Sequence, residues 1–301
     1  MITLDNLHKR FRNVDAVNGL SLTVPEGQVT AFLGPNGAGK TTTIKCLLNL
    51  HRPDRGQATV LGCDSRALGP AQFTQLGYVS ENMELPLWMT VQMFLDYCRP
   101  LYPRWDRSFE AKLMQQFELP PRTKLKDLSR GMRMKAALLS SLAYRPKLVV
   151  LDEPFSGLDP LVRDEFIRGL LELTGQEGWT VFVSSHDIEE VQRLADRIAI
   201  LSRGKLALDE TSESLQARFR AVEVVLPEGV QAPVQMPATW MHAEQAGRTL
   251  RFFDTQFAHP QHLSDSVRST IPNAATIEAR AMSLREIFIA LARAYRLEGR
   301  S

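Results

Sequence analysis

The chain has 301 residues, 44% of them hydrophobic and 23% charged, which suits a folded globular protein and excludes a disordered or fibrous one. Its 36 basic and 34 acidic side chains leave a net charge of +2, so bulk electrostatics offers no reason to expect nucleic acid as the main partner. The length admits one large α/β domain with a smaller appendage.

Residues 2–33 are short apolar runs broken by Asn18-Gly19 and Pro25-Glu26-Gly27, a pattern of strands and hairpins. Residues 29–33 read as a buried strand entering a glycine-rich loop, and 41–50 as a helix ended by Arg52-Pro53-Asp54-Arg55-Gly56. Strands are expected at 58–61 and 77–80. Between 85 and 128 aromatics, methionines and long polar side chains recur at helical spacing, punctuated by prolines, which predicts a helical insertion. Strand signals return at 148–151, 180–183 and 197–201 with helical patterns between them, so the sheet is expected to be mainly parallel and covered on both faces. Beyond about residue 211 come strand-like pieces at 222–226 and 249–253 and a closing amphipathic helix over 283–295. Leu284, Ile287, Phe288 and Leu291 make its apolar stripe.

Cys46, Cys63 and Cys98 match no disulfide or metal spacing and read as small apolar side chains of a reducing compartment. Residues 1–5 lack the basic start and apolar core of a signal peptide. No apolar run approaches the roughly 18 to 20 residues that cross a bilayer; the longest, 136–144, is closed by Lys135 and Arg145. The expectation is a cytosolic chain that meets the membrane only through a partner.

The chemistry centres on Gly34-Pro35-Asn36-Gly37-Ala38-Gly39-Lys40-Thr41, which fits G-x-x-x-x-G-K-[ST] and opens the helix that continues through Thr42. Glycines let successive backbone N–H groups turn inward on phosphate oxygens, and a helix N-terminus adds positive potential. Lys40 is expected on the β- and γ-phosphates of ATP and the Thr41 hydroxyl on Mg²⁺. Downstream, the apolar strand 148–151 ends in Asp152 and Glu153, at the strand end where α/β ligand sites lie. Asp152 suits the metal side, and Glu153 suits the base that positions or deprotonates an attacking water.

This ordered set resembles the ABC transporter ATPases over about residues 2–210. It comprises the P-loop, the strand ending Asp-Glu-Pro, Ser156-Gly157-Leu158-Asp159-Pro160, and Ser184-Ser185-His186-Asp187. The resemblance implies that Asp159 lies in a loop crossing between two subunits and that His186 is the switch histidine contacting the γ-phosphate. Leu128-Ser129-Arg130-Gly131-Met132 is similar to the family signature, in which Ser129 and the amides around Gly131 would cap the ATP of the opposite subunit. Phe11 aligns with the aromatic that stacks on adenine, a core phenylalanine being the other reading.

Two positions depart from the family. Arg130 stands where the family commonly has glycine, and Glu81 where it usually has glutamine. Glu81 is read as keeping a metal role, with Asn82 in that role or a purely mechanical joint as alternatives.

The expected architecture is a P-loop α/β cassette over residues 1–215, with an antiparallel β-subdomain and a helical subdomain at about 82–140. A small α+β accessory domain at 216–301 resembles that of bacterial exporter ATPases. Two copies, or one with a paralogous cassette, would sandwich ATP on the cytoplasmic face of the membrane. Trp88, Met89, Met93, Phe94 and Tyr97 would receive a separate integral-membrane permease, and the resemblance of the accessory domain favours export. A soluble non-transport ABC ATPase and a low-turnover regulatory subunit are the rival readings.

Overall fold

We describe a computed structural model of the chain, which covers residues 1–298 apart from Val234 and Asn273. The chain divides into two compact units, Met1–Asp209 and Glu210–Ser301. Residues 299–301 of the expected accessory domain lie outside the described residues.

The first unit opens with β1 (Ile2–Phe11) and β2 (Val14–Val24), then β3 (Val29–Leu33), α1 (Lys40–Leu47), β4 (Arg55–Val60) and β5 (Cys63–Asp64). It continues through α2 (Pro70–Phe73), β6 (Leu76–Ser80), α3 (Val91–Cys98), α4 (Arg107–Gln116) and α5 (Arg130–Leu142). The last part holds β7 (Leu148–Asp152), α6 (Pro160–Glu177), β8 (Thr180–Ser185), α7 (Ile188–Val191), β9 (Arg197–Ser202) and β10 (Lys205–Thr211), whose last two residues belong to the second unit. Two sheets result. One is four-stranded in the order β2-β1-β4-β5, and its described pairings are antiparallel; the other runs β10-β9-β3-β8-β7-β6. Within the larger sheet β9, β3, β8, β7 and β6 pair in parallel.

Every residue of β3, β7 and β8 is buried, as expected for parallel strands covered on both faces. Ile2, Leu4 and Leu7 of β1 share one core with Ile44 of α1 and with Phe32 and Phe182 of the parallel sheet, whose rings lie 5.2 Å apart. That core fixes α1 against the strands that bracket it.

One local expectation is corrected. Asn18-Gly19 is not a hairpin turn but lies inside β2, where Gly19 has φ 71° and the β1–β2 register shifts between Leu7 and His8. The glycine accommodates a bulge, and the turn falls at Arg12 and Asn13 instead. The helical insertion is built from α3, α4 and the start of α5, with Thr90 capping α3 and Asp106 capping α4 through their side-chain oxygens. Among the described residues no helix is long and apolar enough to cross a membrane. The three cysteines are free, Cys46 buried and the others half-buried, and burial pushes the Cys46 thiol up to about 11.

The second unit holds α8 (Ser212–Arg218), β11 (Arg220–Val225), β12 (Trp240–Ala246), β13 (Thr249–Asp254), α9 (Pro260–Thr270), β14 (Thr276–Ala281) and α10 (Leu284–Glu298). Its sheet is antiparallel in the order β12-β13-β11-β14. Val222, Val224 and Phe252 on one face of the sheet pack with Leu263, Val267 and Ile271 of α9 and the residue following it. The stripe of α10 is inward at Leu284, Ile287 and Leu291, while Phe288 is half-buried, and α10 packs on α8 and β12 of the same unit.

Phe182 tests the shared core. Phe182→Ala should lower stability by about 3–5 kcal/mol, because the ring is wholly enclosed and β8 cannot collapse onto the void. Urea denaturation checks this; a loss under about 1 kcal/mol would mean that the site repacks freely.

Candidate nucleotide site

Parallel pairing sets Leu33 beside Ser185, Ser184 beside Asp152, and Asp152 beside Ser80. The segments leaving β3, β6, β7 and β8 therefore emerge at one level, where the loops can converge. The loop after β3 returns to α1 through Gly39, whose φ is 109° and whose missing Cβ would fall 2.1 Å from the Ala16 carbonyl oxygen. Only glycine fits both the backbone angle and that approach. The first helical hydrogen bond runs from Thr43 N to Gly39 O, which leaves the amides of Lys40, Thr41 and Thr42 without intrahelical acceptors. Gly34 and Ala38 are buried, whereas Pro35, Asn36 and Gly37 are exposed at the loop tip.

Thr41 Oγ1 donates to Asp152 Oδ1 at 3.1 Å, and Ser184 Oγ donates to the same oxygen at 2.6 Å. Burial pushes the Asp152 carboxyl above its ordinary value, against the pull of these two hydroxyls. Glu153 follows with φ 52°, the left-handed region that a non-glycine residue occupies at a cost of about 1–3 kcal/mol. Its amide is held by both the carbonyl and the hydroxyl oxygen of Ser184, at 3.2 and 3.0 Å. The Glu153 carboxylate bridges two nitrogen donors: Oε1 lies 3.0 Å from Lys40 Nζ and Oε2 lies 2.8 Å from His186 Nδ1. A carboxylate only accepts, so His186 Nδ1 is the donor. Lys40 also donates to the carbonyls of Gly34 at 2.6 Å and Pro35 at 3.3 Å.

A basic side chain in a glycine loop, a hydroxyl against a buried aspartate, and a glutamate tied to a histidine are thus assembled from three separate strand ends. An ABC transporter family profile matches residues 17–156. The daunorubicin resistance ATP-binding protein DrrA3 of Streptomyces coeruleorubidus is 33% identical over 305 residues, covering 96% of this chain and 95% of that one. The chain belongs to the ATP-binding proteins of ABC transporters. The sulfate/thiosulfate import ATP-binding protein CysA of Burkholderia mallei is 37% identical over 68% of this chain, and the match spans only 61% of that relative. A solved ATP-binding subunit of an ABC transporter superposes with a TM-score of 0.65 at 25% identity, covering 72% of this chain and 92% of its own. The mixed α/β cassette fold follows from these likenesses, and with it membership of the ABC-type ATPases.

Other expected residues of this ABC cassette are placed as follows. Ser129 is the N-cap of α5 and accepts from Met132 N at 3.2 Å; Asp159 caps α6 and accepts from Val162 N at 3.1 Å. A Cβ on Gly131 would fall 2.5 Å from Val162 Cγ1, so glycine lets the starts of α5 and α6 close on each other. Phe11 is exposed at the end of β1, edge-on to His51 with Lys9 Nζ 5.2 Å from its centroid, which removes the core reading.

Glu81, expected on the metal, has other partners in the structure. Its Oε1 accepts from Arg130 Nη2 at 2.6 Å and from Ser156 Oγ at 2.9 Å, and among the described contacts its carboxylate does not join Thr41 and Asp152. The nearby guanidinium captures it because an opposite charge outcompetes neutral partners.

The bonding roles of two residues escaped sequence reasoning. Ser184 joins Asp152 to Glu153. Glu190, buried in α7, accepts from the Ser185 hydroxyl and lies 3.8 Å from Arg163. A polar residue ending an apolar strand was the visible signal for Ser184; Glu190 looks like any helix surface acid.

The hydrogen bond to Glu153 raises the His186 imidazole above the ordinary histidine value, with Glu190 contributing in the same direction. A raised folded-state value means the pair stabilises fully below the free-histidine pKa and loses that contribution as pH rises through the folded midpoint. An NMR titration of the imidazole should therefore show a midpoint above free histidine, falling back toward it in Glu153→Gln. An identical midpoint in both proteins would remove the pairing.

Proposed function

We propose that the chain hydrolyses ATP to energise a separate integral-membrane permease, acting as two cassettes that sandwich nucleotide. The observation that carries the reading is the Lys40–Glu153–His186 arrangement beside the Thr41–Asp152 contact. Phosphate oxygens would meet the amides of Lys40, Thr41 and Thr42 and the loop from Gly34 through Gly39. A triphosphate offers Lys40 a denser negative partner than one carboxylate, which would free Glu153 Oε1 for a water molecule. The water oxygen then bonds to the γ-phosphorus as the bridging bond breaks. ADP leaves with that electron pair, and Glu153 takes the water's proton. His186, fixed by Glu153, stands ready for the γ-phosphate.

The oxygens of Thr41 and Asp152 are hard donors that suit Mg²⁺, whereas Glu81 Oε1 is paired with Arg130. When bound, Mg²⁺ would supply positive charge against the phosphates. Ser129, Gly131 and Asp159 would face the nucleotide of the other cassette, a homodimer or a paralogous pair, and Phe11 would stack on adenine.

For the permease, Trp88 and Tyr97 are 65% and 63% exposed, Met93 is also exposed, Met89 is half-buried and Phe94 is core. They adjoin in sequence a cleft of about 470 Å³ lined in part by Met83, Leu85, Leu87 and Met134. Exposed aromatic surface of this kind favours a protein partner at the cytoplasmic membrane face. Export is favoured because the drug-resistance relative aligns along nearly the whole chain, whereas the sulfate-import relative aligns over 68% of it.

Glu153→Gln should spare ATP binding, cut turnover about 100-fold or more, and accumulate an ATP-bound dimer on gel filtration. Near-normal turnover would take Glu153 out of the base role. Chain purified from detergent-solubilised membranes should bring down a multi-span protein, and Trp88→Glu should lose it; recovery of ribosomes or DNA would support the non-transport reading.

A further inference from the structure

Glu81 and Arg130 each depart from the family pattern, and the structure joins them. Arg130 Nη2 donates to Glu81 Oε1 at 2.6 Å, and that oxygen also accepts from Ser156 Oγ at 2.9 Å. The same guanidinium lies against Gly157, where a Cβ would fall 2.3 Å from Arg130 Nη1 and 2.8 Å from its Cζ. The turn it presses on is tied to the candidate base, since Ser156 N donates to Glu153 O at 3.2 Å. On the other side, Glu81 N donates to Asp152 O at 2.9 Å. We propose that Glu81 and Arg130 form a charge clamp that positions the turn at Ser156 and Gly157, and through it Glu153, for hydrolysis.

The clamp replaces a combination that could not do this. A glycine at 130 has no side chain to reach residue 81, and a glutamine at 81 would offer the guanidinium a neutral carbonyl instead of a carboxylate. Each substitution alone would strand a charge; together they satisfy each other. The side chains are 45% and 28% exposed, so solvent screens the pair and its effect on global stability is small. What it can do is set geometry: one planar guanidinium touches the loop after β6 and the turn after β7 from the first residue of α5. Both side chains also line the cleft of about 470 Å³, so an occupant there would bear on the clamp directly. Glu81 and Arg130 are therefore positioning residues, acting through the backbone of the 156–157 turn.

This inference rests on the hydrolytic reading above, and its test separates the two. In the full chain, Glu81→Gln and Arg130→Gln should each lower kcat about 10-fold with KM for ATP within about 2-fold, and the double variant should fall little further. Arg130→Lys, which keeps the charge, should recover part of the loss. Unfolding midpoints should move by no more than about 4 °C, as expected for an exposed pair. A double variant that loses the full product of the single effects, or singles that match the wild type, would overturn the clamp. Absence of turnover in the wild type would instead sink the hydrolytic reading. The clamp would then be decided by the backbone amide resonances of Gly157 and Glu153. They should shift alike in both single variants and no further in the double, and unmoved resonances would overturn it.

Discussion

The register of the parallel sheet is the constraint from which the site follows. Leu33, Ser80, Asp152 and Ser185 all end their strands at neighbouring positions, and the residues after them supply the phosphate loop, the 81–82 loop, the acidic pair and the histidine. Parallel strands share one C-terminal edge, so groups far apart in the chain gather there without any long-range design of the loops. A one-residue slip of β7 would turn Asp152 to the other face and break its bonds to Thr41 and Ser184 together. The complete burial of β3, β7 and β8 protects the register, because a slip would carry the polar groups at their ends into the apolar core.

Glu153 shows how that frame carries strain to the candidate site. Its left-handed backbone is unfavourable for a side-chain-bearing residue, and the two bonds from its amide to Ser184 hold it there. The reward is direction. From this turn the carboxylate reaches Lys40 on one oxygen and His186 on the other, and these two contacts orient it. A carboxylate held in this way is occupied on both oxygens, and whatever draws Lys40 away changes what Glu153 can accept.

The sequence disclosed the parts of the site whose chemistry is local. Residues 34–41 declare a phosphate loop because eight consecutive positions must satisfy one backbone path, and Asp152 and Glu153 stand out against an apolar strand. Contacts across the fold were illegible for a physical reason. Glu81 and Arg130 were each read singly, as a metal ligand and as an intruder in a glycine loop, because nothing local links positions 49 residues apart. In the second unit β12 and β14 went unread as strands. Thr276–Ala281 has mostly exposed side chains, so it pairs with β11 by backbone register without the alternation that marks a strand. The Asn18-Gly19 pair misled in the opposite direction, since a turn dipeptide also serves a bulge inside a long strand.

The same distinction bears on what a departure from a family pattern means. Taken alone, an arginine in place of a small residue suggests a damaged phosphate cradle, and a glutamate in place of an amide suggests an altered metal site. Placed together, they neutralise each other at 2.6 Å, leaving Ser129 free to cap α5 and Thr41 and Asp152 as the oxygen pair. Gly131, one residue on, still permits the close approach of α5 to Val162 of α6. The contact that requires a missing side chain has therefore been kept at the position where packing demands it, and relaxed at the neighbour whose side chain projects toward another loop. Compensation across space, not tolerance at one site, accounts for both residues.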